Sequence, residues 1–393
     1  MASSILFVNI PARGHVFPTL AVVAELTARG HAVTYVTVDE FADTVRATGA
    51  EVLTYPSVNP LELVGKPESG GAPAVFLREN IAMLKAIEAH YGAGRPDVVV
   101  YDEAAFQAGR VLARKWGRPA VQSTPSFAFN EHFSFIAKML EGAEGFTLTD
   151  PVAETEALLT AHGLAGPLDD FLWTRRGPEK RNIVYLTRDF QYEGQTFDDR
   201  FAFVGPCLGE RNFLGDWTPP GDGRPLALVS LGTVHNGNLD FFRAGVEAFA
   251  GLEWHAVMSV GDKVDIADLG PLPANVEIHR WVPHRQVLDQ ASVFITHGGT
   301  GSVMESLLAG VPLVVVPQWL DVEPNAARIA ELGLGRLIPP DEYDAERLRT
   351  TLRELSADAG LPSRMEAMRQ HTAGAGGTRR AADVIEAETS PTR

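Results

Sequence analysis

Two stretches of the chain repeat one alternation of short apolar runs and amphipathic segments. In the first, residues 5–10 predict a strand, and residues 18–29 space their apolar positions as a helix does, ending at Gly30. Residues 32–38, rich in β-branched side chains, predict a second strand. Residues 98–101, behind the breaker pair Arg95-Pro96, predict a third, and residues 104–116 a helix stopped by Gly117. The rhythm restarts at residues 226–231 and continues through strands at 254–260, 276–279, 293–296 and 313–316. Strands alternating with helices predict an α/β fold with parallel, doubly wound sheets. Residues 216–225 are turn-forming and aperiodic, and read as a linker. The expected organisation is a domain over 1–215, the linker 216–225, a second domain over 226–378, and a helix and tail over 379–393. Residues 133–189 read as helical, mixed in polarity and without a motif.

The length of 393 residues suits two domains with separate cores. The formal net charge of −16 argues against nucleic acid as a partner and leaves room for one local diphosphate site. With the single cysteine, Cys207, no intrachain disulfide forms, which fits a cytoplasmic protein. The apolar run at 5–10 is too short for a signal peptide, and no run reaches membrane-span length. Oligomeric state is not legible.

The densest chemistry lies in Thr296-His297-Gly298-Gly299-Thr300-Gly301-Ser302-Val303-Met304-Glu305. It joins a predicted strand to a predicted helix over residues 303–309. Free N–H groups and the positive end of a helix dipole make such a turn an anion site. The spacing is neither G-x-G-x-x-G nor a Walker loop, which counts against a nicotinamide oxidoreductase. His15 follows the first strand and Asp102 ends another in the same predicted sheet, so both face its carboxyl edge, where open sheets bind ligands. A base and an orienting carboxylate form the pair that such an edge can use. Helix capping or core packing is the plainer alternative for each.

Taken in order, several segments resemble the GT-B glycosyltransferases, and more closely the bacterial macrolide and natural-product members that use nucleotide sugars. They are Gly14-His15-Val16-Phe17-Pro18, Val100-Tyr101-Asp102, Phe203-Val204-Gly205-Pro206, Ser230-Leu231-Gly232-Thr233, Trp281-Val282-Pro283, the His297 segment, and Val316-Pro317-Gln318 with Asp321 and Asn325. The resemblance implies two Rossmann-like domains facing a central cleft. The N-terminal one would take the acceptor and the C-terminal one the nucleotide sugar, with a C-terminal helix returning to the N-terminal domain. It implies that Trp281 stacks on the base and the backbone of Val282 reads its edge. His297, Gly298, Thr300, Gly301 and Ser302 would hold the diphosphate, the last also capping the helix. Ser230, Gly232 and Thr233 would approach from the other side, Glu305 would bind the ribose, and Asp321 the sugar hydroxyls. Val322 departs from the family's usual Gln and would offer the sugar an apolar surface; His284 departs likewise.

The expected reaction is an inverting hexosyl transfer, glucose from UDP-glucose to a hydroxyl of a lipophilic small molecule such as a macrolide or polyphenol. His15 is the expected base, oriented by Asp102. No cofactor and no essential metal are expected, since no D-x-D motif is present and the helix end can carry the leaving charge. Phe76, Met83, Phe127, Phe129 and Phe133 are expected to line the acceptor pocket, ordinary core packing being the alternative. A dTDP-deoxysugar transferase and a non-catalytic nucleotide-binding GT-B protein are the alternatives in function.

Overall fold

The computed structural model describes residues 2–64, 66, 69–141, 148–164, 166–209, 217–221, 223–233 and 236–389. Strands β1 (Ser4–Val8), β2 (Ala32–Thr37), β3 (Glu51–Thr54), β4 (Val98–Asp102), β5 (Ala120–Thr124), β6 (Asn182–Val184) and β7 (Phe201–Phe203) form one sheet in the order β3-β2-β1-β4-β5-β6-β7. Its described pairings are all parallel. Leu6, Val8, Val99 and Tyr101 enter one core, and Ile5, Phe7, Val98 and Val100 the other. This period-two division buries both faces, which is why these strands read as unbroken apolar runs. The strand order reverses between β1 and β4, so the crevice at their carboxyl ends is where an open sheet receives a ligand.

Strands β8 (Leu226–Ser230), β9 (His255–Ser259), β10 (Val276–His279), β11 (Ala291–Thr296), β12 (Leu313–Val315) and β13 (Gly335–Leu337) form the second sheet, ordered β10-β9-β8-β11-β12-β13. Here the order reverses between β8 and β11, whose ends are in register at Ser230 and Thr296. The chain divides into two units: Met1–Ala137, Gly142–Gly209 and Ala375–Arg393 in the first, Lys138–Glu141 and Glu210–Gly374 in the second. Of the linker 216–225, residues 216 and 222 lie outside the described residues. Trp217 fastens to the second unit, its indole N–H donating to Glu277 at 3.3 Å.

The helix Gly377–Thr389 belongs to the first unit. Its Ala381, Ala382 and Ile385 are buried with Val16, Val22, Val23 and Leu26 of the helix Arg13–Ala28. Arg29 donates to Glu25 at 2.9 Å, to Asp383 at 2.6 Å and to Glu386, which also meets His31 at 2.8 Å.

Three expectations need correction. The first helix starts at Arg13 rather than at residue 18 and carries Pro18 inside it, so His15 lies in its first turn. Pro18 lacks the N–H that the Gly14 carbonyl would otherwise accept. The segment after β4 opens as a 3-10 turn, Glu103–Ala105, before the helix Phe106–Trp116. Residues 133–189 are not a helical region: among those described are the short helices Phe135–Met139 and Val152–Ala161, a 3-10 turn Leu168–Phe171, and β6. A three-residue strand is set by its neighbours and shows no period of its own.

Candidate active site

In the first unit the chemistry gathers where the strand order reverses. Asn9, one residue past β1, donates from its amide to the carbonyl of His15 at 3.0 Å and to the Tyr35 hydroxyl at 2.8 Å. His15 donates its backbone N–H to Ala12 O at 2.9 Å. The His15 backbone is therefore fixed from both sides. Its Nδ1 lies 2.8 Å from Oδ2 of Asp102. Asp102 is 1 % exposed, and its other oxygen accepts the N–H of Ala104 at 2.8 Å. That second bond caps the 3-10 turn and sets the carboxylate's orientation. The His15 side chain remains 27 % exposed. A carboxylate on Nδ1 selects the tautomer that leaves Nε2 as the basic nitrogen and stabilises the imidazolium.

The same turn carries a carboxyl that the sequence reading missed. Glu103 is buried beside Asp102 and accepts a short hydrogen bond from the Ser126 hydroxyl. Burial first, and then the Asp102 charge, push its pKa up to about 7. Arg176 is also buried, its guanidinium carbon 4.1 Å from the ring centre of Phe106, 4.5 Å from Trp173 and 5.2 Å from Phe129. Burial pulls its pKa down to about 10. A dipeptide such as Arg175-Arg176 gives no sign in the sequence that one of the two is interior.

The five aromatic and Met positions expected to line an acceptor pocket divide. Phe76 packs on Trp173 at 5.3 Å, and Phe129 lies against Arg176, so these two converge. Phe133 stacks on Tyr192 at 5.3 Å and meets Phe127 at 6.2 Å. Phe127 and Met83, 1 % and 0 % exposed, are core residues and present no open surface.

In the second unit, the helix Thr300–Ala309 follows β11 through His297-Gly298-Gly299. Its N-cap is Gly299, with no side-chain cap. Ser302 is thus the third helical residue and not the expected cap. Asn325 supports the turn instead, donating to Gly298 O at 2.8 Å and to the Thr300 hydroxyl at 3.1 Å. The amides of Thr300, Gly301 and Ser302 belong to the first turn of a helix, whose N–H groups have no intrahelical acceptor. A β-carbon on Gly301 would meet nothing within 4 Å, so the backbone there is open to close approach. The His297 ring lies between two glycine backbones, Gly232 and Gly299. Ser230 is 1 % exposed and accepts from Gly232 N–H at 3.2 Å, so its hydroxyl shapes the turn before Thr233. Glu305 is buried on the second turn of the helix.

Trp281 is half-buried, with its indole N–H on Asp262 at 3.2 Å, and Val282 behind it is buried. Asp321 is exposed on the 3-10 turn Leu320–Val322. Val322 is 5 % exposed and packs inward, so it offers no apolar surface to a sugar, contrary to expectation. The structure brings together His15 with Asp102, and Gly232 with His297 and the start of its helix. Asp321 and Trp281 stand on separate loops of the second unit. Among the described residues no group of three or more His, Cys, Asp or Glu side chains forms a metal site, and no helix is long and apolar enough to cross a membrane.

Residues 248–385 match the family described as erythromycin biosynthesis protein CIII-like, C-terminal domain. Over 98 % of its length the chain is 40 % identical to the NDP-glycosyltransferase YjiC of Bacillus licheniformis, covering 97 % of that protein. It is also 40 % identical, again over 98 % of its length, to demethyllactenocin mycarosyltransferase of Streptomyces fradiae, covering 87 % of it. The solved structure of CalG4, the calicheamicin glycosyltransferase, superposes with a TM-score of 0.89 at 41 % identity, covering 99 % of this chain and 98 % of that one.

Proposed function

The chain belongs to the macrolide and natural-product glycosyltransferases of GT-B fold, and on that footing we propose that it is an inverting hexosyltransferase moving glucose from UDP-glucose to a hydroxyl of a lipophilic small molecule. The observation that carries this reading is the 2.8 Å contact between His15 Nδ1 and Asp102 Oδ2 at the point where the strand order reverses. The acceptor hydroxyl gives its proton to His15 Nε2 as its oxygen attacks the anomeric carbon. The bond from that carbon to the diphosphate oxygen breaks, and UDP leaves with the electron pair. One in-line displacement inverts the anomeric configuration. Asp102 stabilises the imidazolium formed in the step.

The second unit supplies the stabilisation of the leaving group. The uncapped start of the helix Thr300–Ala309 offers backbone N–H groups and the positive end of its dipole, and His297 stands at its mouth. Trp281 offers a face to the uracil, a kind of stacking worth about 1–3 kcal/mol. Glu305 accepts from the ribose. The exposed carboxylate of Asp321 accepts from two adjacent sugar hydroxyls, each such bond to a charged group contributing about 1.5–3 kcal/mol. A deoxysugar lacking one of those hydroxyls leaves an acceptor unpaired, which favours a fully hydroxylated hexose.

A second reading, transfer of a deoxysugar from a dTDP donor, is favoured by the mycarosyltransferase relative. Competition between UDP-glucose and a dTDP-6-deoxyhexose at equal concentration with one acceptor separates the two. A product carrying mainly glucose supports the first reading, and a product carrying mainly the deoxysugar overturns it. Release of neither nucleotide with any hydroxylated acceptor favours a non-catalytic binding protein.

A further inference from the structure

The first unit buries two arginines with opposite arrangements. Arg110 is fully engaged: it donates to the Tyr101 hydroxyl at 3.1 Å, to Asp170 O at 2.5 Å and to Gly177 O at 2.7 Å. Those carbonyls bracket the segment that carries Trp173 and Arg176, so Arg110 fixes that segment in place. Arg176, 9 % exposed, packs against ring faces and feels the Glu103 carboxyl through its charge. Among the described residues its Nε and Nη1, shielded from solvent, have no hydrogen-bond partner, and the same is true of the adjoining Trp173 indole N–H. Leaving three buried donors unmade in one place costs folding free energy, most of all where the group is charged. Ring faces return only part of that cost to a guanidinium.

These orphaned donors lie among four aromatic rings, Phe76, Phe106, Phe129 and Trp173, linked at 4.1 to 5.4 Å. Phe76, Phe129 and Trp173 are only partly buried, so the cluster reaches the surface. Phe106 begins the helix that follows directly from the turn capped by Asp102. The residue that orients His15 and the ring beneath Arg176 are therefore parts of one short rigid segment. The neighbouring carboxyl, Glu103, accepts from the Ser126 hydroxyl and acts on Arg176 through its charge alone, without a hydrogen bond among the described residues. Planar, donor-only and fork-shaped, a guanidinium suits a carboxylate or phenolate oxygen, and the rings suit a flat aromatic body.

We propose that Arg176, with the Trp173 N–H, forms a subsite in the first unit that binds an anionic oxygen on a flat aromatic acceptor. The proposal rests on the reading of this unit as the acceptor side of a glycosyltransferase. It narrows that acceptor from any lipophilic alcohol to an aromatic one that carries an acidic group apart from the hydroxyl to be glycosylated. Arg176 binds and places the acceptor, and takes no part in proton transfer.

The probes are 6-hydroxy-2-naphthoate and its methyl ester, which share the ring and the hydroxyl and differ in the charge. Calorimetry on the full chain without donor should show the wild type binding the acid at least about tenfold more tightly than the more lipophilic ester. In Arg176→Met the acid should weaken at least about tenfold and the ester less than about threefold, and Arg176→Lys should recover part of the difference. Equal affinity of the wild type for acid and ester overturns the proposal, as does an acid preference that survives in Arg176→Met. No binding of the acid at millimolar concentration overturns it too. The wild-type comparison decides even where a variant does not fold. Glucosylation of either compound is a separate readout: transfer without acid preference sinks the subsite alone, and acid preference without transfer leaves the subsite standing and counts against the proposed transfer to such acceptors.

Discussion

A β-carbon on Gly232 would stand 2.6 Å from Cε1 of His297, so the turn after β8 and the turn after β11 meet at a histidine that only a glycine can accommodate. Gly232 has a φ of +76°, which independently favours glycine. On the other side, a β-carbon on Gly299 would lie 2.5 Å from Nε2 of the same ring. Gly232→Ala should therefore displace His297 and weaken UDP binding at least about tenfold, the equivalent of one lost hydrogen bond to a charged group. Calorimetry with UDP reads this, and an unchanged dissociation constant removes the contact from the donor site.

His15→Ala should lower turnover at least about a hundredfold while UDP binding stays nearly unchanged. Asp102→Asn should also lower turnover. The double variant should lose much less than the product of the two single losses, because Asp102 acts through His15. Turnover in His15→Ala equal to that of wild type removes the base assignment, and fully multiplicative losses show that the two side chains act separately.

Under the proposed mechanism transfer should persist in EDTA, since the uncapped helix start and His297 would carry the diphosphate charge. Complete loss of activity that returns with a divalent metal refutes this. His297→Ala should weaken UDP binding with little effect on acceptor binding.

Glu103 gives the first unit a pH dependence. Its folded pKa is raised to about 7 from the ordinary 4.5, so the folded chain holds a proton that the unfolded chain has released. Its contribution is fully present below the unfolded value and is lost as pH rises through about 7. A shift of this size corresponds to about 3 kcal/mol at alkaline pH. Glu103→Gln should be more stable than wild type by about 2–3 kcal/mol at pH 8 and nearly equal to it at about pH 5. Thermal unfolding followed by circular dichroism at both values reads the difference; a gap that does not widen from acid to alkaline pH shows that the carboxyl is ionised in the fold.

Both crevices were legible in the sequence because each is built from local elements: a buried strand, a turn with glycine or histidine, then a helix. His15 and Asp102 could be placed on one sheet edge from strand ends alone, although the start of the helix at Arg13 was hidden by Pro18. Strands β6 and β7 were not read, since strands of three residues take their conformation from their neighbours and show no period of their own. The Glu103 and Arg176 cluster was invisible for a different reason. Arg110 buries Arg176 by gripping carbonyls 60 and 67 residues away, a contact that no local pattern records. Val322 shows the converse: a departure from a family pattern suggested a change at the sugar, and the side chain turns inward.

The helix Gly377–Thr389 has a consequence for the order of events at the ribosome. Every strand of both sheets is made before it, yet it supplies Ala381, Ala382 and Ile385 to the core beneath the helix that carries His15. During synthesis the second unit has all of its described strands while the first still lacks a wall. The first unit, begun first, is thus finished last, when the helix ending at Thr389 has been made and docked beneath the helix that carries His15.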